Sequence, residues 1–328
     1  MPDPIVVQII DEYRRELLNR ESAQFENMTT RWLQIERALE GQVSALAFEI
    51  DRMRAAGETV TEWRVQRLDR YQSLLAQAQR EMGRYSQYAN DVITEGQRQY
   101  GATGAELARM ALDAMGIRGG FDMLPIEAIE AMAGLTADGS PLLDLLRKAW
   151  PEAAASMTDK LMQAIAAGQN PRVTARKMFD GLADGLNRML VIARTEQLRA
   201  YRTAQREQYK RSGVVTQYKR IAARQMRTCL ACLLADGKVY ELEEDFVEHP
   251  SGRCALVPIT RGLPEVKWQQ GRDWFGKLSE ADQRAMMGPA KYEAWKSGRI
   301  SLDDLTTTHH NETWGDSPAI KSNKELGI

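Results

Sequence analysis

Four residues with metal-binding side chains stand close together late in the chain. Two residues separate Cys229 from Cys232, sixteen separate Cys232 from His249, and four separate His249 from Cys254. Three thiolates and one imidazole form a Cys₃His set, which is typical of a tetrahedral structural zinc site. The two-residue gap lets both thiolates of one turn point at the same ion, and residues 235–237 form a turn that can bring the chain back. We therefore predict a structural zinc ion bound by these four residues, with no coordination position left for catalysis.

Two other interpretations of the cluster stay open at this point. The thiols could be buried without a metal in a small core, or a cysteine and His249 could form a nucleophilic pair. No feature of the sequence marks either cysteine as activated. A metal-dependent nuclease is the least favoured class, because it needs an open coordination site and a general base, and His249 would be used as a ligand. We expect no enzymatic activity and no small-molecule substrate.

The first 228 residues contain no thiol and no imidazole. The chain has 3 cysteines and 3 histidines in 328 residues, and His309 and His310 lie in the tail. Ser-His-Asp triads, cysteine nucleophiles and histidine metal sites are therefore excluded from the first two thirds of the sequence. The odd cysteine count and a start without a cationic leader predict synthesis in a reducing cytosol. No apolar run approaches the roughly 18–20 residues of a membrane span, so we expect no membrane partner.

A strongly basic block precedes the cysteines. The formal net charge is only −1, from 44 basic and 45 acidic residues, but residues 170–228 hold 14 basic and 4 acidic residues. Because Arg199, Arg202 and Arg206 are spaced three and four apart, we expect a positive ridge on one helical face. Such a ridge suits phosphate contact or docking on an acidic protein surface, and it could also be neutralised by the acidic stretch at 241–248. The candidate contact residues are Arg188, Arg194, Arg199, Arg202, Arg206, Lys210, Arg211, Lys219, Arg220, Arg224 and Arg227.

The elements that must position these residues are mainly helices. Apolar residues at heptad spacing in residues 5–54, among them Trp32, Leu39 and Leu46, and a matching seam in the following helix predict a coiled-coil-like hairpin. Glycines and prolines divide the middle of the chain into shorter predicted helices, near 105–115, 126–133, 141–149, 152–167, 172–181 and 184–211. β-branched residues predict short strands on both sides of the cysteines.

The predicted fold class is therefore mainly α with a small α+β Cys/His module. We divide the chain into a helical hairpin (1–100), a helical domain ending in the basic helix (101–213), the Cys/His module (214–262) and a helical C-terminal segment with an extended tail (263–328).

The order of short motifs resembles the phage head morphogenesis family, the minor head proteins similar to Mu F. The motifs are A-R-T-E at 193–196, C-x-x-C at 229–232, D-G at 236–237 and H-P-S-G-R-C at 249–254, and the resemblance covers about residues 160–305. Two positions depart from the family pattern. Gly252 stands where the family usually has a cysteine, which leaves one four-ligand set, and Gln225 stands where an aspartate often precedes the C-x-x-C.

The resemblance implies a structural protein of a tailed bacteriophage or prophage head. Members are minor head proteins associated with the portal vertex and needed for head assembly, and some are thought to act in DNA packaging or ejection. The expected partners are the portal protein, the major capsid protein or both, with packaged DNA as a further contact. The expected location is the virion, near the portal vertex, and the host cytoplasm during assembly. The alternatives are a zinc-stabilised nucleic-acid-binding protein and, less favoured, a nuclease.

Overall fold

The computed structural model describes residues 3–328 and is 61% helix and 9% strand, which confirms the predicted mainly α fold class. Within these residues, no helix is both long and apolar enough to span a membrane. The helices are α1 (Ile5–Ala55), α2 (Glu62–Gln66), α3 (Asp69–Ala114), α4 (Ile126–Glu130), α5 (Leu142–Arg147), α6 (Ala149–Ala166), α7 (Pro171–Ser212), α8 (Leu230–Leu234), α9 (Gly271–Gly276), α10 (Glu280–Met287) and α11 (Pro289–Lys296). The strands are β1 (Val215–Ile221), β2 (Val239–Glu241), β3 (Ala255–Thr260), β4 (Thr306–Asn311) and β5 (Gly315–Ile320).

Two compact units make up the chain. The first comprises Met1–Asn19, Gly96–Ala133 and Thr195–Ile328, and the second comprises Arg20–Glu95 and Gly134–Arg194. The three long helices α1, α3 and α7 each contribute residues to both units.

The second unit buries the heptad seam of α1. Trp32, Leu39 and Leu46 are almost fully buried. The Trp32 ring packs edge-on against Tyr85 with 5.1 Å between ring centroids, and the Tyr85 hydroxyl donates a hydrogen bond to the Met28 carbonyl at 2.9 Å. Each fully buried large apolar side chain stabilises such a seam by roughly 1.5–3 kcal/mol. The seam that the heptad spacing predicts is thus the packed face of the helix.

Two predicted helix breaks are wrong, because the glycines concerned lie inside long helices and allow a neighbouring backbone to pack closely. α3 continues through Gly104 to Ala114, and α7 continues through Gly181, so the stretches predicted at 172–181 and 184–211 form one helix. A Cβ atom on Gly104 would lie 2.1 Å from the Tyr201 carbonyl oxygen, and one on Gly181 would lie 2.6 Å from the Met157 Cα. Only glycine fits at these positions, because a neighbouring backbone occupies the space that a side chain would need.

The cysteines lie around a three-stranded antiparallel sheet in the first unit. Its strand order is β2-β1-β3, and Tyr218 on β1 lies opposite Tyr240 on β2 and Pro258 on β3. The rings of Tyr218 and Tyr240 stack on one face of this sheet with 5.3 Å between their centroids. The tail, expected to be extended, contains β4 and β5, which pair in an antiparallel hairpin that places His310 opposite Asp316.

Candidate metal centre

The segment between β1 and β2 presents the first two cysteines. Cys229 is the N-cap residue of α8, and its sulfur accepts a hydrogen bond from the Cys232 backbone N–H at 3.4 Å. A short helix of this kind keeps the two side chains one turn apart, on the same side. The carboxylate of Asp236 fixes the end of the segment, because it accepts hydrogen bonds from the backbone N–H groups of Ala222 (2.9 Å) and Gly271 (2.6 Å).

The segment between β2 and β3 presents His249. Its Nδ1 lies 2.9 Å from the Pro250 carbonyl oxygen, and since a carbonyl can only accept, Nδ1 carries a proton and donates. This bond orients the ring and directs Nε2 toward the cysteines. The His249 Nε2 atom lies 3.3 Å from the Cys229 sulfur and 3.1 Å from the Cys232 sulfur.

α7 holds this second segment in place through two hydrogen bonds. The Thr195 hydroxyl accepts a bond from the Ser251 backbone N–H at 3.0 Å, and the buried Arg202 guanidinium donates to the Gly252 carbonyl at 3.1 Å. Ser251 has a positive φ of 64°, so a non-glycine residue adopts the left-handed region at this bend. The helix that carries the A-R-T-E motif therefore positions the segment that carries His249.

The donor atoms form two overlapping groups. Cys229, Cys232 and His249 form one, and Cys232, Glu248 and Cys254 form the other, with the donor atoms of each group within 4.8 Å of one another. Cys229 is exposed, whereas Cys232 and Cys254 are buried. A cavity of about 90 Å³ is bordered by all of these residues except Glu248. The predicted ligands are thus gathered in one place, and Glu248 joins them.

Glu248 forms a fully buried ion pair with Arg220 of β1. The Arg220 Nη1 atom lies 2.8 Å from the Glu248 Oε2 atom, and the exposed fractions of the two side chains are 0% and 1%. The Glu248 Oε1 atom accepts a hydrogen bond from the His249 backbone N–H at 3.1 Å. The guanidinium also donates to the Val247 carbonyl at 2.7 Å. This network ties the central strand of the sheet to the donor cluster.

Without a metal, the cluster favours a thiolate beside an imidazolium. The hydrogen bond from Cys232, together with the His249 ring, lowers the pKa of the Cys229 thiol to about 5. The hydrogen bond to Cys229 and the nearby Glu248 carboxylate raise the pKa of His249 to about 9. The pKa of Cys232 is raised, first by its hydrogen bond to Cys229 and then by the one to Cys254 and by burial. Burial opposes ionisation of Glu248, but Arg220, His249 and Arg202 with the hydrogen bond from Cys254 together outweigh it and lower that pKa.

The donor set fits zinc. Thiolate sulfur and imidazole nitrogen are the usual zinc ligands, and bond lengths of about 2.0–2.3 Å place neighbouring ligand atoms of a tetrahedron about 3.3–3.8 Å apart. The separations of His249 Nε2 from the two cysteine sulfurs, 3.3 and 3.1 Å, are close to those edges. Cys229, Cys232 and His249 could therefore bind a metal ion after a shift of a few tenths of an ångström.

The basic block does not form one exposed ridge. Arg202 and Arg220 are buried, and Arg206 and Lys210 pair with Asp245 and Glu243 of the acidic stretch. The further ion pairs are Arg188–Glu152, Arg194–Glu21, Arg199–Glu196, Lys219–Glu265 and Arg224–Asp3. Of the eleven candidates, only Arg211 and Arg227 are exposed without an acidic partner among residues 3–328.

Sequence reasoning missed three residues that build the site: Glu248, Arg220 as its partner, and Thr195. Glu248 directly precedes His249, a predicted ligand. Because carboxylates also bind zinc, its position in the sequence could have indicated a further candidate ligand. Arg220 and Thr195 could not be assigned in this way, because their roles depend on strand and helix contacts with residues 28 and 56 positions away.

Comparison with known protein families finds a match to the middle of the chain. Residues 155–257 match the sequence model of the family described as Phage Mu protein F like protein, which confirms the resemblance to a phage head morphogenesis family. No curated protein and no solved structure matches the chain. The matched segment extends from α6 into β3 and includes α7 and all of the Cys/His cluster.

Proposed function

We propose that this chain is a structural minor head protein of a tailed bacteriophage or prophage. The observation that carries the proposal is the match over residues 155–257 to the Mu F-like family, which supports a phage head-related protein. In the finer form of the proposal, the chain associates with the portal or the inner capsid, near the portal vertex. It acts in head assembly, with the portal protein, the major capsid protein or both as partners, and also contributes to DNA packaging or ejection.

The geometry of the donor cluster supports a structural role over a catalytic one. Cys232, Cys254 and Glu248 are buried, and the only described histidine near them is directed at two sulfurs. A hydrolytic metal site keeps a coordination position open for water and has a general base beside it. This cluster instead brings together the β1–β2 and β2–β3 connecting segments, as structural zinc sites do in small modules.

We also propose that the cluster holds a structural zinc ion. Cys229, Cys232 and His249 supply three ligands, and the fourth comes from the buried side of the cluster. The sequence spacing assigns that position to Cys254, and the structure adds Glu248 as a second candidate. Zinc binding supplies folding free energy to modules of this size, about 10 kcal/mol or more in zinc-finger peptides.

Binding to nucleic acid is a second candidate function, and the observation that favours it is the basic block at residues 170–228. Since intramolecular ion pairs neutralise most of that block, the remaining contact would be weak and centred on Arg211 and Arg227. Duplex DNA binding with an affinity that falls steeply as salt rises would support this candidate. No measurable binding near 50 mM salt would reject it.

Gene deletion and complementation test the proposed function. In the phage or prophage that encodes the chain, deletion should lower the yield of infectious particles, and the intact gene should restore it. His249→Ala should fail to restore the yield, whereas His309→Ala should restore it, because His309 is exposed on β4 and lies outside the donor cluster. An unchanged particle yield after deletion would contradict the proposal.

A further inference from the structure

One oxygen of Glu248 lies at ligand-to-ligand distance from two of the three donor atoms of the Cys229, Cys232 and His249 group. The Oε1 atom lies 3.5 Å from His249 Nε2 and 3.6 Å from the Cys232 sulfur. Neighbouring ligand atoms around tetrahedral zinc are about 3.4–3.6 Å apart when an oxygen is paired with an imidazole nitrogen or a thiolate sulfur. Both separations match this range. The carboxylate oxygen is therefore already at a ligand-to-ligand distance from the His249 nitrogen and from the Cys232 sulfur.

The surrounding structure fixes the carboxylate in this position. Its other oxygen is held by Arg220 at 2.8 Å. Its side chain passes over Gly252, where an added Cβ atom would lie 2.0 Å from the Glu248 Cγ and 2.7 Å from Oε1. The absence of a side chain at residue 252 thus makes room for the carboxylate. An arginine on the second oxygen is the kind of outer partner that orients a ligating carboxylate.

We propose that Glu248, rather than Cys254, is the fourth ligand of the metal ion, in a Cys₂HisGlu set with Cys229, Cys232 and His249. The inference rests on the proposed zinc site and specifies its chemistry. Cys254 lies within 4.8 Å of the Cys232 and Glu248 donor atoms and remains a neighbouring thiol on the buried side. The set contains two thiolates, and Arg220 offsets the charge of the carboxylate.

Cobalt(II) substitution of the full-length chain distinguishes the two fourth ligands. Tetrahedral Co²⁺ gives visible d–d bands, and the sulfur-to-cobalt charge-transfer band grows with the number of bound thiolates. We expect Cys254→Ala to bind Co²⁺ with the charge-transfer intensity of the wild type. Glu248→Gln should weaken Co²⁺ binding by at least about tenfold, the smallest loss that even an outer-shell partner usually gives. Circular dichroism of each variant checks that it is folded.

A rescue variant tests the ligand position itself. Glu248→Ala leaves a gap beside residue 252, and a Gly252→Cys substitution in the same chain would place a thiol in the space that the carboxylate vacates. We expect the double variant to regain tetrahedral Co²⁺ binding with about one and a half times the wild-type charge-transfer intensity, because three thiolates replace two.

Two outcomes would overturn the inference in different ways. If Cys254→Ala lowers the charge-transfer intensity by about a third and Glu248→Gln leaves the spectrum unchanged, Cys254 is the fourth ligand, and the zinc proposal survives. If the wild-type chain binds neither Co²⁺ nor Zn²⁺, the zinc proposal fails together with the inference, whereas the assignment to the phage head is decided by the complementation experiment.

Discussion

Removing Arg220 should open the sheet around the donor cluster, and Lys219 on the same strand provides a matched control. In the metal-free chain, Arg220→Met leaves the Glu248 carboxylate buried without its ion-pair partner, since the exposed fractions of that pair are 0% and 1%. Breaking a buried pair by removing one partner costs about 3–5 kcal/mol. Lys219→Met removes a cation whose partner, Glu265, is 51% exposed. A surface pair of this kind contributes about 0–1 kcal/mol.

Hydrogen–deuterium exchange of the β1 amides measures this difference locally, which suits a chain with two compact units. A loss of about 3–5 kcal/mol corresponds to exchange that is roughly 10²- to 10⁴-fold faster, since each 1.4 kcal/mol is tenfold. Lys219→Met should accelerate exchange by less than about fivefold. Equal acceleration in both variants, or none in Arg220→Met, would refute the claim that the Arg220–Glu248 pair holds this sheet together.

Three further predictions concern the donor cluster. Cys229→Ser, or removal of zinc with a chelator, should lower the melting temperature of the sheet and its connecting segments, because structural zinc supplies on the order of 10 kcal/mol in zinc-finger peptides, while the helicity of α1 and α3 is retained. An unchanged melting curve would count against a bound metal. In the metal-free chain, alkylation of Cys229 should vary little between pH 6 and pH 8, because its pKa is about 5 and the thiolate already dominates there, whereas an ordinary thiol speeds up nearly tenfold per pH unit. Zinc should protect Cys229 from alkylation, and equal rates with and without zinc would contradict its role as a ligand. Thr195→Val should destabilise the segment around Ser251 by about 1 kcal/mol by leaving its N–H unpaired, and Thr195→Ser should restore stability; identical melting of both variants would show that the bond contributes nothing.

Periodicity and spacing predicted much of the fold and of the candidate site. The heptad seam with Trp32 is buried as expected, and the mainly α fold class with a small sheet is correct. The cysteines and His249 lie close together in the structure, as their short spacings in the sequence predicted. These features follow from local patterns, which the sequence displays directly.

The remaining features depend on tertiary contacts. Gly104 and Gly181 resemble helix breakers in sequence, but each is required by a backbone that packs against it. Arg202 and Arg220 resemble surface cations in the sequence, yet both are buried. Arg202 donates a hydrogen bond to the Gly252 carbonyl, and Arg220 donates one to the Glu248 carboxylate. A residue's charge and spacing do not indicate which partner will neutralise it. The distinction between a binding surface and an internal ion pair therefore requires the fold.

The central claim, that this chain is a component of a phage head, is tested most directly by quantitative mass spectrometry of purified heads. Heads of the phage or induced prophage that encodes the chain should be separated from soluble protein on a density gradient before the measurement. We expect the chain to co-sediment with DNA-filled heads at a fixed ratio to the portal protein and at a copy number well below that of the major capsid protein. Heads of normal composition that lack the chain would contradict it.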